Sequence, residues 1–531
     1  MSFTEKLIAG WASTIAVMAR WALKQSEKRV KVRRRIAFSL HALPGQNDPL
    51  NGRELPTEEG VPDRIPFFGR RGVRVLSRRW LHVPIGILLG TPIVAFGATI
   101  ILWNLQPFAD PSGAVATFNR AGNIDESKTT FFKDLGTNGR TCGTCHVPSQ
   151  AFSFSAAYAQ ARFSASAGAD PLFASVDGAN CPTGVTGDPA SHSLILNNGL
   201  IRVSLPVPTT AEFTLSVVSD PYGCALVTDP STGVQNVSVY RRPLPATNLN
   251  FLSDVMVDGR ETVEPLNDAQ TFQANLITDL KHQALDATMG HAQASTPPSD
   301  AQLSSIVGFE MGLSSAQIFD DAATFLFLPP VQGGPAYLAA QKYYPGINDS
   351  QGGDPTGAAF NPVVFTLYNR WQGSSRASHA AVAAGQQVFN QVTCTRCHDA
   401  PNSGNRSLPL AADVGSSHAA AFETNAAISG ALAELSAPNL PIFEITGCTD
   451  SNGNPETFYT SDPGKALISG KCTDVNKTKV PVLRGLAARA PYFHNGSAAS
   501  LNEVVNFYND RFQMGLTDDE KSDLVAFLNS L

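Results

Sequence analysis

Cys142-Gly-Thr-Cys145-His146 and Cys394-Thr-Arg-Cys397-His398 are two copies of the pattern Cys-x-x-Cys-His, 252 residues apart in a chain of 531. Two thiols about one helical turn apart reach the two vinyl groups of one porphyrin, and the adjoining imidazole then lies under the iron. A thioredoxin-like dithiol or half of a zinc site needs no histidine directly after the second cysteine. The pattern therefore predicts two covalently bound c-type haems, with His146 and His398 as their proximal iron ligands.

Charge divides the chain into two parts. Residues 1–80 carry 16 Lys and Arg against 7 Asp and Glu, whereas residues 81–531 carry 23 against 38. The basic part lies beside an apolar segment, so attraction to anionic lipid explains it more simply than binding to nucleic acid. We predict no nucleic acid partner, and the acidic remainder suits a basic docking protein or simply keeps the chain soluble.

Residues 81–105 contain no Lys, Arg, Asp or Glu, and their length suffices to cross a hydrocarbon core of about 30 Å. Arginines just before this segment place the N-terminus in the cytoplasm. We therefore predict a basic cytoplasmic tail at 1–80 and one transmembrane helix or signal anchor at 81–105, with the haem part on the periplasmic face of the bacterial inner membrane. A cleaved signal peptide, which would release the protein into the soluble periplasm, and an over-extended translation start are the alternatives.

Four cysteines remain outside the haem motifs: Cys181, Cys224, Cys448 and Cys472. An even number in a compartment that matures haem c and permits disulfides predicts two local bridges, Cys181–Cys224 and Cys448–Cys472. Free structural thiols are the alternative.

The rest of the pattern predicts a mainly α fold with two cytochrome c-type haem domains, residues 106–374 and 375–531. Each is expected to carry a β-rich insertion, at about 166–245 and about 436–480. Apolar runs at 194–196 and 213–217 are taken as strands of the first insertion.

Helical patterning returns at 264–290 and 299–313. The chain then ends in a predicted helix that Thr517 caps, with Glu520 at the capping-box position and Leu524 on its apolar face. A terminal helix of this kind packs over the haem in cytochrome c domains.

Residues 481–497, PVLRGLAARAPYFHNGS, resemble the C-terminal signature of the bacterial di-haem cytochrome c peroxidase superfamily, which includes MauG. Residues 257–260, VDGR, and Gln283 extend a resemblance that covers about 118–531 apart from the insertions. It implies that the N-terminal haem reacts with hydrogen peroxide or another small oxidant. The C-terminal haem would relay electrons from a small redox protein, a cytochrome c or a cupredoxin.

Two groups that the resemblance implies are missing. The expected Trp is Val257, and the expected Glu, ten residues after Gln283, is Gln293. Glutamine orients peroxide by hydrogen bonding but does not exchange a proton near pH 7, whereas an imidazole does. We predict His291 as the distal acid/base, with Gln283 and Gln293 as hydrogen-bonding neighbours. A surface or second-layer role for His291, or iron ligation by it, is the alternative.

Three residues compete for the sixth ligand position of the C-terminal haem. Tyr508 lies 14 residues after His494, where the resemblance places the ligand, and a phenolate there favours ferric iron. His494 and Met514 are the competing ligands. No His or Met follows His146 before His192, so the N-terminal haem is expected to be open and reactive.

The sequence also suggests roles for residues outside the haem motifs and the distal site. Arg260 and Arg484 offer planar forks for haem propionates or stabilise the domain interface. Trp371 is either an aromatic relay or a packed core residue. The resemblance also implies a Ca²⁺ ion between the haem domains, held by backbone carbonyls near Arg489 and Pro491.

The sequence thus predicts a di-haem oxidoreductase that reduces peroxide. MauG-like or oxygenase-like oxidation of an organic or protein substrate is one alternative. A non-enzymatic di-haem electron carrier is the other.

Overall fold

Helices and short antiparallel sheets alternate in the computed structural model, which describes residues 100–531. The α-helices are α1 Cys142–Cys145, α2 Ala156–Ser166, α3 Ser193–Asn198, α4 Phe272–Gly290, α5 Asp300–Met311, α6 Pro335–Ala339, α7 Ala377–Gln391, α8 Ala426–Ala433, α9 Ala466–Ser469, α10 Leu501–Arg511 and α11 Asp518–Asn529. The strands are β1 Ile101–Leu102, β2 Phe108–Asp110, β3 Gly113–Asn119, β4 Ile124–Asp125, β5 Ile201–Pro206, β6 Thr214–Ser219, β7 Leu226–Thr228, β8 Gln235–Arg241, β9 Leu313–Asp320, β10 Thr324–Phe325, β11 Ala411–Ala412, β12 Ile442–Thr449, β13 Pro455–Thr460 and β14 Thr478–Lys479. The fold is mixed α and β, which corrects the mainly α prediction.

A four-stranded sheet outside the expected insertions accounts for part of that error. Its strand order is β10-β9-β3-β2, and β3 pairs antiparallel with β9. Strand β9 is almost wholly buried yet includes Ser315 and Gln317, each 0% exposed. Its polar residues therefore hide the apolar alternation by which a half-buried strand is recognised.

Two three-stranded sheets, β5-β8-β7 and β13-β12-β6, form a β-rich region. Strand β6 pairs with β12, so segments that lie on either side of the second haem motif share one sheet. Phe213, Leu215, Phe443 and Ile445 pack in its core. The strand predicted at 213–217 is confirmed, but the run at 194–196 lies in helix α3, because three apolar residues in a row fit either structure.

Both predicted disulfides are confirmed. Cys181 bridges to Cys224 with a Cα–Cα distance of 5.9 Å, and Cys448 bridges to Cys472 with 5.6 Å. Each bridge fixes a loop beside the β-rich region.

Helices α7 and α11 pack closely in the core next to the second haem motif. A Cβ at Gly385 of α7 would lie 1.9 Å from the backbone oxygen of Asp523 in α11, so only glycine permits this approach. The predicted terminal helix is confirmed, since Thr517 accepts from the Glu520 amide in a full capping box. Phe527, 0% exposed, makes edge contacts with other core rings.

Within residues 100–531 no helix is both long and apolar enough to cross a membrane. The predicted tail 1–80 and most of the predicted span 81–105 lie outside the described residues. Near the C-terminal end of the predicted span, Ile101–Leu102 form a strand that pairs with Ile124–Asp125. The prediction of a helix is therefore wrong for these residues.

Candidate functional site

The first haem motif begins a single helical turn, α1. Thr141 and Thr144 form a reciprocal capping box at its N-terminus. The Nδ1 atom of His146 lies 3.1 Å from the Phe152 carbonyl oxygen, which makes Nδ1 the donor and leaves the Nε2 lone pair for a metal. Burial lowers the pKa of His146 to about 4, so the ring is neutral, as an iron ligand requires.

The second motif repeats this arrangement on a 3₁₀ turn. The Nδ1 atom of His398 donates to the Gly404 carbonyl, and burial lowers the pKa of His398 to about 4. All four motif cysteines are free of disulfides. Free paired thiols beside a neutral imidazole with an available Nε2 fit a covalent haem c at each motif, and each haem would supply a redox-active iron.

Aromatic side chains surround the first motif. Phe131 lies with its ring centroid 6.3 Å from that of His146, and Phe152 and Phe309 pack against Phe131. This apolar wall excludes water from the space next to Cys142.

A cavity of about 370 Å³ brings together three of the predicted site residues. Gln283 and His291, from the end of helix α4, line it with Arg260. Its other polar lining residues are Asp177, Arg202, Ser204, Glu261 and Asp286. Two residues predicted to act on peroxide thus share one space, and that space also holds two arginines.

His291 is the C-cap residue of α4 and its side chain is 38% exposed. Its Nδ1 atom is hydrogen-bonded to the Asp177 carboxylate. Its carbonyl oxygen lies 3.2 Å from Nη1 of Arg140, two residues before Cys142. A partly exposed imidazole therefore lies near the first haem motif.

Gln293 does not share this cavity. It is exposed, its backbone has φ of 54°, and its side-chain oxygen lies 3.3 Å from Nδ2 of Asn138. Its predicted role in peroxide binding stays a prediction without support from its position.

Tyr508 lies in a buried aromatic cluster with Phe493 and Phe507. Burial, followed by the thiols of Cys397 and Cys394, raises the pKa of Tyr508, so this phenol lies near the second haem motif. Its role as the sixth ligand stays a prediction.

The competing ligands are placed differently. His494 is buried with Nε2 3.5 Å from Asp462 and 3.3 Å from the Ser417 hydroxyl, and burial lowers its pKa to about 4. Met514 is half-buried in the turn after helix α10.

The two arginines expected at propionates have partners of different kinds. Arg260 donates to both oxygens of Asp258, at 3.1 and 3.0 Å. Arg484 is 1% exposed and donates to backbone carbonyls, including that of Asn402 at 2.8 Å. Arg484 forms no ion pair within residues 100–531, and a haem propionate would supply the missing charge.

Trp371 packs in the core beside the second motif, in a stack of three rings. Its centroid is 3.9 Å from that of His379 and 5.0 Å from that of Tyr368. Core packing explains this arrangement fully, so the alternative role as a relay gains no independent support.

The residues near the expected Ca²⁺ position do not fit a divalent cation. The Arg489 carbonyl oxygen already accepts from Nη2 of Arg242 at 3.1 Å. Burial lowers the pKa of Arg242 to about 9 and that of Arg489 to about 10, and neither pairs with a carboxylate in the described part of the chain. Calcium enters no step below.

Sequence reasoning missed three buried charged residues near the first motif. Asp177 and Arg140 form an ion pair, and Arg140 lies two residues before Cys142. Glu310 is 5% exposed, has a side-chain oxygen without a hydrogen-bond partner, and its pKa is raised by burial to about 8. Position next to the motif was a signal for Arg140, whereas no local pattern marks Asp177 or Glu310.

No protein-family model matches the chain. The cytochrome-c peroxidase IdrP1 of Denitromonas iodatirespirans is 28% identical over 187 residues, 31% of this chain and 44% of that protein. The cytochrome c551 peroxidase of Nitrosomonas europaea is 33% identical over 115 residues, 18% of this chain and 34% of that protein.

Among solved structures, a MauG-like protein associated with microbial copper homeostasis is 16% identical, with a TM-score of 0.27, over 58% of this chain and 79% of that one. The chain spans less than half the length of the curated relatives named above.

Proposed function

We propose that the chain, which is similar to bacterial cytochrome c peroxidases over part of its length, is a di-haem c oxidoreductase that reduces hydrogen peroxide. Peroxide would react at the haem held by Cys142, Cys145 and His146. The haem at His398 would store and relay electrons.

The observation that carries this proposal is the cavity that Gln283 and His291 share, together with the contact of the His291 carbonyl with Arg140, two residues before Cys142. Cleavage of an O–O bond needs a group that takes a proton from one oxygen and returns it to the other. In this role the His291 imidazole exchanges the proton and the Gln283 amide orients the peroxide by hydrogen bonding.

A MauG-like oxidation of an organic or protein substrate is the second candidate. Tyr508, buried in the cluster with Phe493 and Phe507, favours it. A phenolate ligand stabilises ferric iron more than the thioether of a methionine does. The second haem would then hold oxidising equivalents in preference to donating electrons.

We propose that the haem part works in the periplasm, where haem c is attached and disulfides such as Cys181–Cys224 persist. The same proposal includes a membrane anchor at 81–105, a small cytochrome c or cupredoxin as electron donor, and a division into two haem domains at residue 374.

Cell fractionation tests the anchor. The full chain should be found with the membranes, whereas residues 106–531 exported behind a foreign signal peptide should be found in the soluble fraction.

One set of spectra tests the function. The ferric protein should show one high-spin haem that binds cyanide, and it should consume peroxide with reduced cytochrome c as donor. The variant His291→Ala should retain both haems and react with peroxide about 10²-fold more slowly. Gln283→Ala should have a smaller effect.

The outcomes separate the alternatives. Two low-spin haems that do not bind cyanide would indicate an electron carrier. A high-spin haem that reacts with peroxide but accepts no electrons from cytochrome c would favour the oxidation of another substrate.

A further inference from the structure

Asp177 lies between the Arg140 guanidinium and the His291 imidazole, and each of its carboxylate oxygens has its own partner. Oδ1 pairs with the Arg140 guanidinium and Oδ2 with Nδ1 of His291. The side chains of Asp177 and Arg140 are 6% and 3% exposed, whereas that of His291 is 38% exposed. The buried Asp177–Arg140 ion pair thus supports the His291 ring, which reaches the cavity.

The loop that leads into the first haem motif also fixes the backbone of His291. The His291 carbonyl oxygen accepts from Nδ2 of Asn138 at 2.8 Å and from Nη1 of Arg140 at 3.2 Å. Arg140 in turn donates to the Pro171 carbonyl at 2.7 Å. The main chain of His291 is therefore bound to residues within a few positions of Cys142, and its ring reaches the same loop through Asp177 and Arg140.

The hydrogen bond to Asp177 determines which nitrogen of His291 carries the proton. A carboxylate accepts but does not donate, so Nδ1 must carry hydrogen and Nε2 keeps the lone pair. Burial raises the pKa of Asp177, but His291 and Arg140 outweigh burial and hold that pKa below its usual value. Asp177 is therefore ionised and stabilises an imidazolium when Nε2 takes a proton.

We propose that Asp177 is the positioning residue of His291, which it holds as the Nδ1–H tautomer with Nε2 toward the space next to the first haem motif. This inference rests on the proposed function, in which His291 moves the proton of an incoming acid. The step is a proton transfer only: the acid H–X loses its proton to Nε2, the anion X⁻ keeps the electron pair, and no electrons leave the protein.

Cyanide binding to the ferric protein measures this step without turnover. Hydrogen cyanide binds as the anion and must leave its proton on a base. His291→Ala should slow cyanide association by about 10²-fold or more, the usual scale for a positioned acid/base. Asp177→Asn is nearly isosteric but carries no negative charge and can donate as well as accept, so it neither enforces the Nδ1–H tautomer nor stabilises an imidazolium, and it should slow cyanide association by about 10–100-fold.

A double variant separates positioning from a merely structural role. If Asp177 acts through His291, Asp177→Asn in the His291→Ala background should change the association rate less than twofold, because coupled residues are not additive. Asp170→Asn is the matched control, since Asp170 forms an ion pair with Arg162 in the same segment without contacting His291. It should leave the rate within twofold of wild type.

Loss of the charge opposite Arg140 could prevent folding of Asp177→Asn, so Asp177→Glu provides a second variant. It keeps the ion pair but displaces the carboxylate, and it should slow cyanide association about tenfold with both haems attached. A wild-type rate in a folded Asp177 variant, or a double variant slowed by the full product of the single effects, would overturn the inference. A wild-type protein without a cyanide-binding haem would instead overturn the proposed function.

Discussion

Phe443 and Val217 are Cα partners in one antiparallel sheet, although 226 residues and the whole second haem motif separate them along the chain. Strand β12, which contains Phe443, therefore pairs with a strand that lies more than two hundred residues earlier in the chain. The side chain of Phe443 is 0% exposed and packs in the shared core.

Replacing Phe443 with alanine should destabilise the protein by about 3–5 kcal/mol, because it leaves a cavity that the surrounding sheet cannot fill. The comparison is Phe422→Ala, since Phe422 is 40% exposed, and this change should cost no more than about 1 kcal/mol. Denaturant unfolding measures both. An equal loss of unfolding free energy in the two variants would contradict the packing described for β12.

Cys142→Ser and Cys394→Ser should each lower covalent haem by one per chain, because a single thioether bond is insufficient for stable attachment. Mass spectrometry of the denatured protein measures this number. Arg396→Lys, a change at an exposed position inside the second motif, should retain both haems. Two haems in either serine variant would refute the attachment sites.

Tyr508→Phe should keep both haems but open the coordination position opposite His398. Tyr508→Met should restore a six-coordinate low-spin haem with a higher reduction potential, since thioether sulfur favours ferrous iron. Met514→Leu is the comparison and should leave the spectrum unchanged. If both Tyr508 variants keep wild-type spin states and potentials, the ligand is another residue, with His494 examined first.

The Asp258 carboxylate stabilises the folded protein by an amount that depends on pH. Burial raises its pKa, but Arg241 and Arg260 outweigh burial and lower it to about 2. An aspartate in an unfolded chain titrates near 3.9. Because the folded pKa lies below the unfolded one, the stabilisation of about 2–3 kcal/mol is present above about pH 4 and is lost as the pH falls towards 2.

Asp258→Asn should therefore be less stable than wild type at pH 7, and the difference should shrink between pH 4 and pH 2 in acid titrations of unfolding. Asp300→Asn is the control, since it removes an exposed pair with Lys281 worth about 0–1 kcal/mol. A difference between wild type and Asp258→Asn that is independent of pH would contradict this account.

Local patterns predicted the features that depend on neighbouring residues. The haem motifs place a histidine directly after two cysteines, and Thr517 lies three residues before Glu520, so their geometry follows from spacing alone. The mainly α prediction failed where strands pair across long separations, as β3 does with β9. Likewise no spacing rule relates Asp177 to His291, 114 residues away, because tertiary packing alone brings them together.

The pairing of β6 with β12 also constrains how the chain is made. Within residues 100–531, β12 is the one strand that pairs with β6, and it is synthesised more than two hundred residues later. A nascent or exported chain that stops between them carries an unsatisfied strand, open to pairing with another copy. Interrupted synthesis should therefore yield aggregates rather than a functional half.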